Sequence, residues 1–125
     1  MTDRKITLTD VKDFVTAAHG DLAKVAAMLA EKPGLRDRAN GNETALGAAC
    51  QMRLPAMVEL LLAAGAVLDL PAACVLGRAD TVAAMLDADP SLLTQSAKHA
   101  HGKKPLYFAE NQPEVLALLR ERGAK

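Results

Sequence analysis

The stretch from Thr44 to Ala66 constrains the fold of this chain more than any other, because it contains two short helical segments of different character. Its first half, around residues 46–50, carries mostly small side chains, so another helix can approach at the short end of the usual ~8–10 Å packing distance. Its second half is rich in leucine and ends at Gly65, which can adopt the left-handed cap conformation without steric cost. The stretch therefore predicts a helical hairpin in which neither helix buries its apolar face alone.

Similar hairpins recur along the chain. Positions equivalent to Thr44 fall at Val11, at Leu68 and near Gly102, at intervals of 33, 24 and 34 residues. Two of these intervals agree with a single repeat period, and the middle one is shorter. The shortening falls after Gly65, where the chain passes almost directly into the next helix.

The stretch resembles the ankyrin repeat, whose pattern is approximately T-P-L-H-x-A-A-x-x-G-H-x-x-V-V-x-L-L-L followed by G-A. Here it reads TALGAAC and, after a break, MVELLLAAGA. Two outer helices end in a Pro-x-Leu sequence, at Pro33 and Pro90, which looks like small bacterial members of the family. The resemblance implies an all-α ankyrin-repeat solenoid of about four helix-turn-helix repeats, with the third truncated and its hairpin finger missing. The expected single domain covers residues 1–125. Its repeats are expected at approximately 9–40, 41–68, 69–93 and 102–125.

The chain departs from the ankyrin pattern in the second and fourth repeats. Gly47 stands where His is usual and Ala45 where Pro is usual, which removes a Thr–His hydrogen bond that often tightens this corner. Tyr107 replaces the corresponding His of the last repeat. Pro55 suits the first turn of a helix, where its missing N–H costs nothing. We expect the helical hairpins to persist despite these changes.

Local signals predict the start of the first helix and one tight turn. Thr9 is the expected N-cap of a helix spanning about Asp10 to His19. Asn40-Gly41 is the strongest short turn signal in the chain, and the ankyrin pattern places it at the tip of a hairpin-like finger.

Composition limits the classes of function. The chain has 125 residues with 15 basic and 15 acidic side chains, and its only aromatic residues are one Tyr and two Phe. A neutral chain with few aromatic residues argues against a nucleic-acid-binding protein. No apolar run approaches the ~20 residues of a membrane span or the pattern of a signal peptide. We therefore expect a cytoplasmic monomer without a membrane partner.

The two cysteines are expected to be buried thiols. Cys50 and Cys74 occupy the same position of neighbouring repeats, and equivalent atoms of packed helices lie about 8–10 Å apart. That separation exceeds the ~7 Å limit for Cα atoms joined by a disulfide. The interpretation agrees with a reducing compartment.

No catalytic motif is present, so we predict neither an enzyme nor a cofactor. The strongest metal candidate is His99-x-His101 with Glu110 as a third ligand, but zinc needs three or four ligands and two solvated histidines are the preferred interpretation. No metal site is therefore predicted. His19 is expected to donate to the free carbonyls at the end of the first helix.

Ankyrin repeats bind partner proteins through their finger tips and through the exposed face of their first helices. Because the predicted fingers are basic, the expected partner is another protein with an acidic surface rather than a small-molecule substrate. Carried over to this chain, the predicted contact residues are Arg36, Arg38, Asn40, Asn42, Gln51, Met52, Val75, Leu76, Lys98, His99, His101 and Lys103.

Three alternatives remain open for these surfaces. The basic side chains are equally compatible with ordinary solvated loop charges. The finger at residues 98–104 is also compatible with nucleic-acid or metal binding. Finally, the missing finger is expected to leave Met52, Val75 and Leu76 as an apolar patch, unless the segment Val67–Leu70 covers it.

Overall fold

The computed structural model describes residues 5–125, which are all-α apart from one short hairpin. The eight helices of this part are α1 (Leu8–Ala17), α2 (Leu22–Glu31), α3 (Ala45–Gln51), α4 (Pro55–Ala63), α5 (Leu70–Leu76), α6 (Ala79–Ala88), α7 (Pro105–Phe108) and α8 (Pro113–Glu121). The hairpin strands are β1 (Ala39–Asn40) and β2 (Glu43–Thr44). Among these helices, none is both long enough and apolar enough to cross a lipid bilayer.

The helices form four consecutive pairs. In each pair the two helices contact each other, as α1 does with α2 and α7 with α8. The first helices also contact one another in chain order, α1 with α3, α3 with α5, and α5 with α7. The first helices therefore lie side by side in one row, as the repeated helical hairpins of the sequence predict.

Side-chain caps determine where several helices begin. The N-cap of α1 is Thr7, whose hydroxyl accepts from the Asp10 backbone N–H while the Asp10 carboxylate accepts from the Thr7 N–H. The prediction of Thr9 as the cap is wrong, because only Thr7 has an acidic residue three positions later that completes this reciprocal pair. The side chains of Thr44 and Asp69 cap α3 and α5 by accepting the backbone N–H groups of Gly47 and Ala72.

The core is apolar and lies where the first helices pack against the second helices of the pairs. Small side chains allow α3 to be almost fully buried, with residues 45–50 all buried. In α1 only one face is buried, with Val11, Phe14, Val15 and Ala17. The second helices bury one stripe each, such as Met57, Val58 and Leu61 of α4. Phe14 and Phe108 are the largest fully buried side chains among the described residues. Burying one such side chain stabilises the fold by roughly 1.5–3 kcal/mol.

Both cysteines lie in this core as free thiols, so their expected burial is confirmed. Burial raises the pKa of the Cys50 thiol far above its ordinary value and that of Cys74 to about 12. Neither thiol is therefore a nucleophile at neutral pH.

The predicted turn at Asn40-Gly41 is confirmed as the tip of the hairpin. Asn40 pairs with Glu43 and Ala39 with Thr44 in antiparallel register. Gly41 has a φ of 65°, a conformation that glycine adopts without strain. We call residues 38–44 the first finger.

The connections on either side of the third helix pair differ in length. Residues 64–69 join α4 to α5 without a strand, in agreement with the short interval in the sequence. The connection from α6 to α7 is longer and contains two 3-10 turns, Pro90–Thr94 and Lys98–Ala100. A bridge between Ala97 and Lys103 closes its end. We call residues 95–104 the second finger.

Candidate functional site

The second finger does not project freely but folds back across the space left by the short connection. Its Lys98–Ala100 turn contacts both α3 and β2. Gly47 in α3 allows this approach, because a Cβ at Gly47 would lie 1.8 Å from the carbonyl oxygen of His99. The glycine noted in the sequence as a departure is therefore the position at which the second finger contacts α3.

His99 and Asp69 connect the second finger to the start of α5. His99 Nε2 lies 2.7 Å from a carboxylate oxygen of Asp69, whose other oxygen accepts the N–H of Ala72. The hydrogen bond to Asp69 raises the pKa of His99, although partial burial of the imidazole opposes this effect. The contact favours the charged pair and orients the imidazole toward α5.

A second group of polar side chains joins both fingers to the end of α1. Nε2 of His19 and Nε2 of His101 lie 2.9 Å and 2.6 Å from the same carboxylate oxygen of Glu43. The Nδ1 atom of His19 is 2.9 Å from the carbonyl oxygen of Val15, which confirms the predicted donation at the helix end. We call His19, Glu43 and His101 the histidine–glutamate cluster.

The candidate metal ligands considered from sequence, His99 with His101 and Glu110, do not come together. His99 binds Asp69, whereas His101 binds Glu43 and adopts a left-handed backbone conformation with a φ of 64°. Glu110 forms an ion pair with Arg53, at 3.5 Å. The hypothesis of a shared site for these three residues is therefore wrong.

A surface cleft of about 520 Å³ lies between the two fingers and over the start of α5. Leu70, Pro71 and Phe108 are among its apolar lining residues. Three predicted contact residues also line it, namely Asn42, Lys98 and His99. The short connection between α4 and α5 thus leaves an open space, which the second finger narrows.

The predicted contact residues differ in their exposure. Exposed side chains belong to Arg38, Asn40, Asn42, Met52, Lys98, His101 and Lys103, and half-buried ones to Arg36, Gln51, Leu76 and His99. Val75 is buried at 2% exposure, so its place in an exposed apolar patch is wrong. Its side chain belongs to the core, because α5 packs between α3 and α7.

Arg36 is directed back toward the protein rather than outward. Its Nη1 donates to the carbonyl oxygen of Ala64 at 3.1 Å, beside Gly65. The guanidinium therefore completes the C-terminal end of α4. This position makes Arg36 a poorer partner contact than the sequence pattern suggests.

Sequence reasoning missed one group on the row of first helices, formed by Arg53 and Tyr107. Arg53 Nε donates to the Tyr107 carbonyl oxygen at 2.8 Å, and the guanidinium carbon lies 3.8 Å from the centroid of the Tyr107 ring. The ammonium group of Lys103 lies 5.0 Å from the same centroid. The Tyr107 hydroxyl donates to the Gln51 carbonyl oxygen. The sequence shows Tyr107 in place of the usual His, but it does not show that Arg53 is the partner of this residue.

Comparisons with family models, with curated proteins and with solved structures gave no match. The family resemblance therefore remains a prediction.

Proposed function

We propose that this chain is an ankyrin-type solenoid that acts as a non-enzymatic protein-interaction module. The observation that carries the proposal is the cleft between the two fingers, with its apolar lining and the basic side chains beside it. Its volume of about 520 Å³ lies within the roughly 300–1,000 Å³ typical of binding clefts. The row of first helices supports the solenoid part of the proposal, because it would align successive finger tips along one edge.

The proposed partner is a protein segment that combines an apolar side chain with acidic neighbours. An apolar side chain of the partner would contact Pro71 and Leu92, the half-buried apolar residues of the lining. Arg38, Lys98 and Lys103 are exposed on the fingers and would attract the acidic groups. This arrangement favours a protein partner over nucleic acid, since the fingers offer no aromatic side chain for base stacking.

The experiment compares two charge-reversal variants that change net charge equally. One replaces Arg38, Lys98 and Lys103 by Glu, and the control replaces Lys24, Arg120 and Lys125, which are exposed outside the fingers. A partner is first captured with the wild-type chain from the source cell, then purified and titrated calorimetrically. We expect the finger variant to weaken its affinity by at least about tenfold and the control by less than about threefold.

A third variant tests the cleft without changing charge. Ser96 is exposed and lines the cleft, so Ser96→Trp should fill it and weaken partner binding while the unfolding temperature stays unchanged. Equal affinity of wild type, Ser96→Trp and the finger variant would contradict the proposed site. A salt-sensitive mobility shift with DNA or RNA, in place of a protein complex, would instead favour the nucleic-acid alternative.

A further inference from the structure

We propose that His19, Glu43 and His101 form a binding site for one Zn²⁺ ion. The site does not depend on the proposed protein partner, and none of its three residues was grouped with the others by sequence reasoning. One ligand atom from each residue lies within 4.8 Å of the other two. Two imidazoles and one carboxylate are a ligand set that suits zinc, whereas calcium and magnesium prefer oxygen ligands alone.

Hydrogen bonding at His19 assigns the proton of its neutral ring to Nδ1. Nδ1 lies 2.9 Å from the Val15 carbonyl oxygen and 3.2 Å from that of Thr16, and carbonyl oxygens only accept hydrogen bonds. In the neutral ring, Nε2 therefore presents its lone pair toward Glu43. Metal-binding histidines are characteristically held in this way, with the distal ring nitrogen donating to a backbone carbonyl.

The contact between His19 and Glu43 then requires a positive charge. Two acceptors, the Nε2 lone pair and the carboxylate oxygen, lie only 2.9 Å apart. A proton shared by the two atoms or a metal ion between them removes this conflict. Since His101 directs its own Nε2 at the same oxygen from 2.6 Å, a single cation can satisfy all three groups.

The distances require only small movements for zinc to bind. Tetrahedral zinc with bonds of about 2.0–2.1 Å places neighbouring ligand atoms about 3.3 Å apart. The two contacts to the Glu43 oxygen, at 2.9 Å and 2.6 Å, would each lengthen by less than about 1 Å. The ligand nitrogens of the two imidazoles, which lie within 4.8 Å of each other, would approach by up to about 1.5 Å. His101 lies at an exposed finger tip next to Gly102, so this part of the site can adjust.

The backbone at His101 provides a second observation. A φ of 64° is uncommon for a residue other than glycine. The left-handed conformation occurs at the residue whose imidazole meets His19 and Glu43, while Gly102 beside it has the same type of conformation. Unusual backbone conformations of this kind concentrate at binding sites, where the surrounding contacts maintain them.

Zinc at this position would join three separate segments of the fold. His19 follows α1, Glu43 lies in the first finger and His101 in the second. Three protein ligands leave a fourth position, which we assign to water because the His101 side chain is 47% exposed. The bound ion would hold the two fingers at a fixed distance from each other.

The test uses untagged protein stripped with a chelator and titrated calorimetrically with ZnCl₂ near neutral pH. We expect one Zn²⁺ per chain with a Kd of about 10 µM or tighter, and at least ~100-fold weaker binding of Ca²⁺ and Mg²⁺. Substitution by Co²⁺ should give the visible absorption of a tetrahedral site. No saturable zinc binding in the wild-type chain would overturn the proposal.

His99, the histidine outside the proposed site, supplies the matched control. His19→Gln, Glu43→Gln and His101→Gln should each weaken zinc binding by at least ~100-fold, because each removes a direct ligand. His99→Gln should change the affinity by less than about twofold, since His99 binds Asp69 instead. Circular dichroism of each variant separates loss of a ligand from loss of the fold, and the exposed His101 gives the safest variant. Equal weakening by His99→Gln, or retained binding in folded His101→Gln, would also overturn the site.

Discussion

At the scale of single residues, the contact between the second finger and α3 depends on the absence of a side chain at Gly47. The carbonyl oxygen of His99 would lie 1.8 Å from a Cβ at Gly47, far inside van der Waals contact. The carbonyl belongs to the main chain and the main chain fixes the position of a Cβ, so a rotamer change cannot relieve the overlap. The second finger can therefore rest on α3 only if this position has no side chain.

Gly47→Ala should lower the free energy of unfolding by roughly 1–3 kcal/mol, because the second finger must move away from α3. This expected loss already includes the higher helix propensity of alanine, which alone would stabilise α3 by up to about 1 kcal/mol. Urea denaturation followed by circular dichroism measures both terms together.

Gly20→Ala is the matched control for this substitution. No heavy atom lies within 4 Å of a Cβ built at Gly20, and its φ is not positive. We expect this control to stay within about 0.5 kcal/mol of the wild type. A Gly47→Ala variant as stable as the Gly20→Ala control would mean that the second finger does not contact α3 in solution.

At the scale of elements, Asp10 connects the start of α1 to the end of α2. One of its carboxylate oxygens accepts from the Thr7 N–H at 2.9 Å and from Lys32 Nζ at 2.6 Å. The hydrogen bond from Lys32, followed by the backbone donor of Thr7, lowers the pKa of Asp10 from 3.8 to about 2. The Asp10 carboxylate therefore caps α1 and binds the ammonium group of Lys32, which follows α2.

This lowered pKa predicts how the contribution of Asp10 depends on pH. A carboxyl group whose folded pKa lies below its unfolded value stabilises the fold fully above the unfolded value and loses the effect as pH falls through the folded one. The stability difference between wild type and Asp10→Asn should thus be constant near neutrality and shrink between about pH 4 and pH 2. Thermal unfolding over this range measures it.

Asp13→Asn serves as the control in the same helix, since Asp13 is exposed and does not take part in the cap. A difference between wild type and Asp10→Asn that does not change with acidification would contradict the ion pair with Lys32. The Asp13 variant should show no comparable loss over the same pH range.

At the scale of the whole molecule, long polar side chains connect different helix pairs through backbone carbonyls. Arg53, after α3, donates to the Tyr107 carbonyl oxygen of α7, and Gln112 donates to that of Val75 at 2.8 Å. Arg53 thereby joins the second pair to the fourth across the row of first helices. Because its guanidinium also lies over the Tyr107 ring, one side chain makes two kinds of contact.

Arg53→Ala should destabilise the protein by roughly 1–3 kcal/mol, through the lost charged hydrogen bond and the lost cation–π contact. Arg53→Lys should restore only part of the lost stability, because an ammonium group cannot both donate to the carbonyl and stack on the ring as a planar guanidinium does. Denaturant unfolding of the three proteins gives both differences.

Arg38→Ala is the control, since Arg38 is exposed on the first finger. We expect it to change stability by less than about 0.5 kcal/mol. If Arg53→Ala costs no more than this control, the connection between the second and fourth helix pairs does not contribute to the stability of the fold.

The sequence by itself determined the features that neighbouring residues encode. Helical content, the turn at Asn40-Gly41 and the short connection after Gly65 follow from small-residue helices, turn chemistry and repeat spacing, which act over a few residues. The position of the first cap was missed by two residues, because Thr7 and Thr9 are both acceptable caps until the partner at Asp10 is considered. The solenoid class, the repeat boundaries and the partner surface remain predictions.

Only the tertiary structure decided which polar side chains meet. Glu43 and His101 are 58 residues apart, Arg53 and Tyr107 are 54 apart, and Asp69 and His99 are 30 apart. No local propensity links such positions, because their contacts form only after the helix pairs pack and the second finger folds back over α3. Side chains that looked like independent loop charges in the sequence thus became specific pairs through packing of the apolar core.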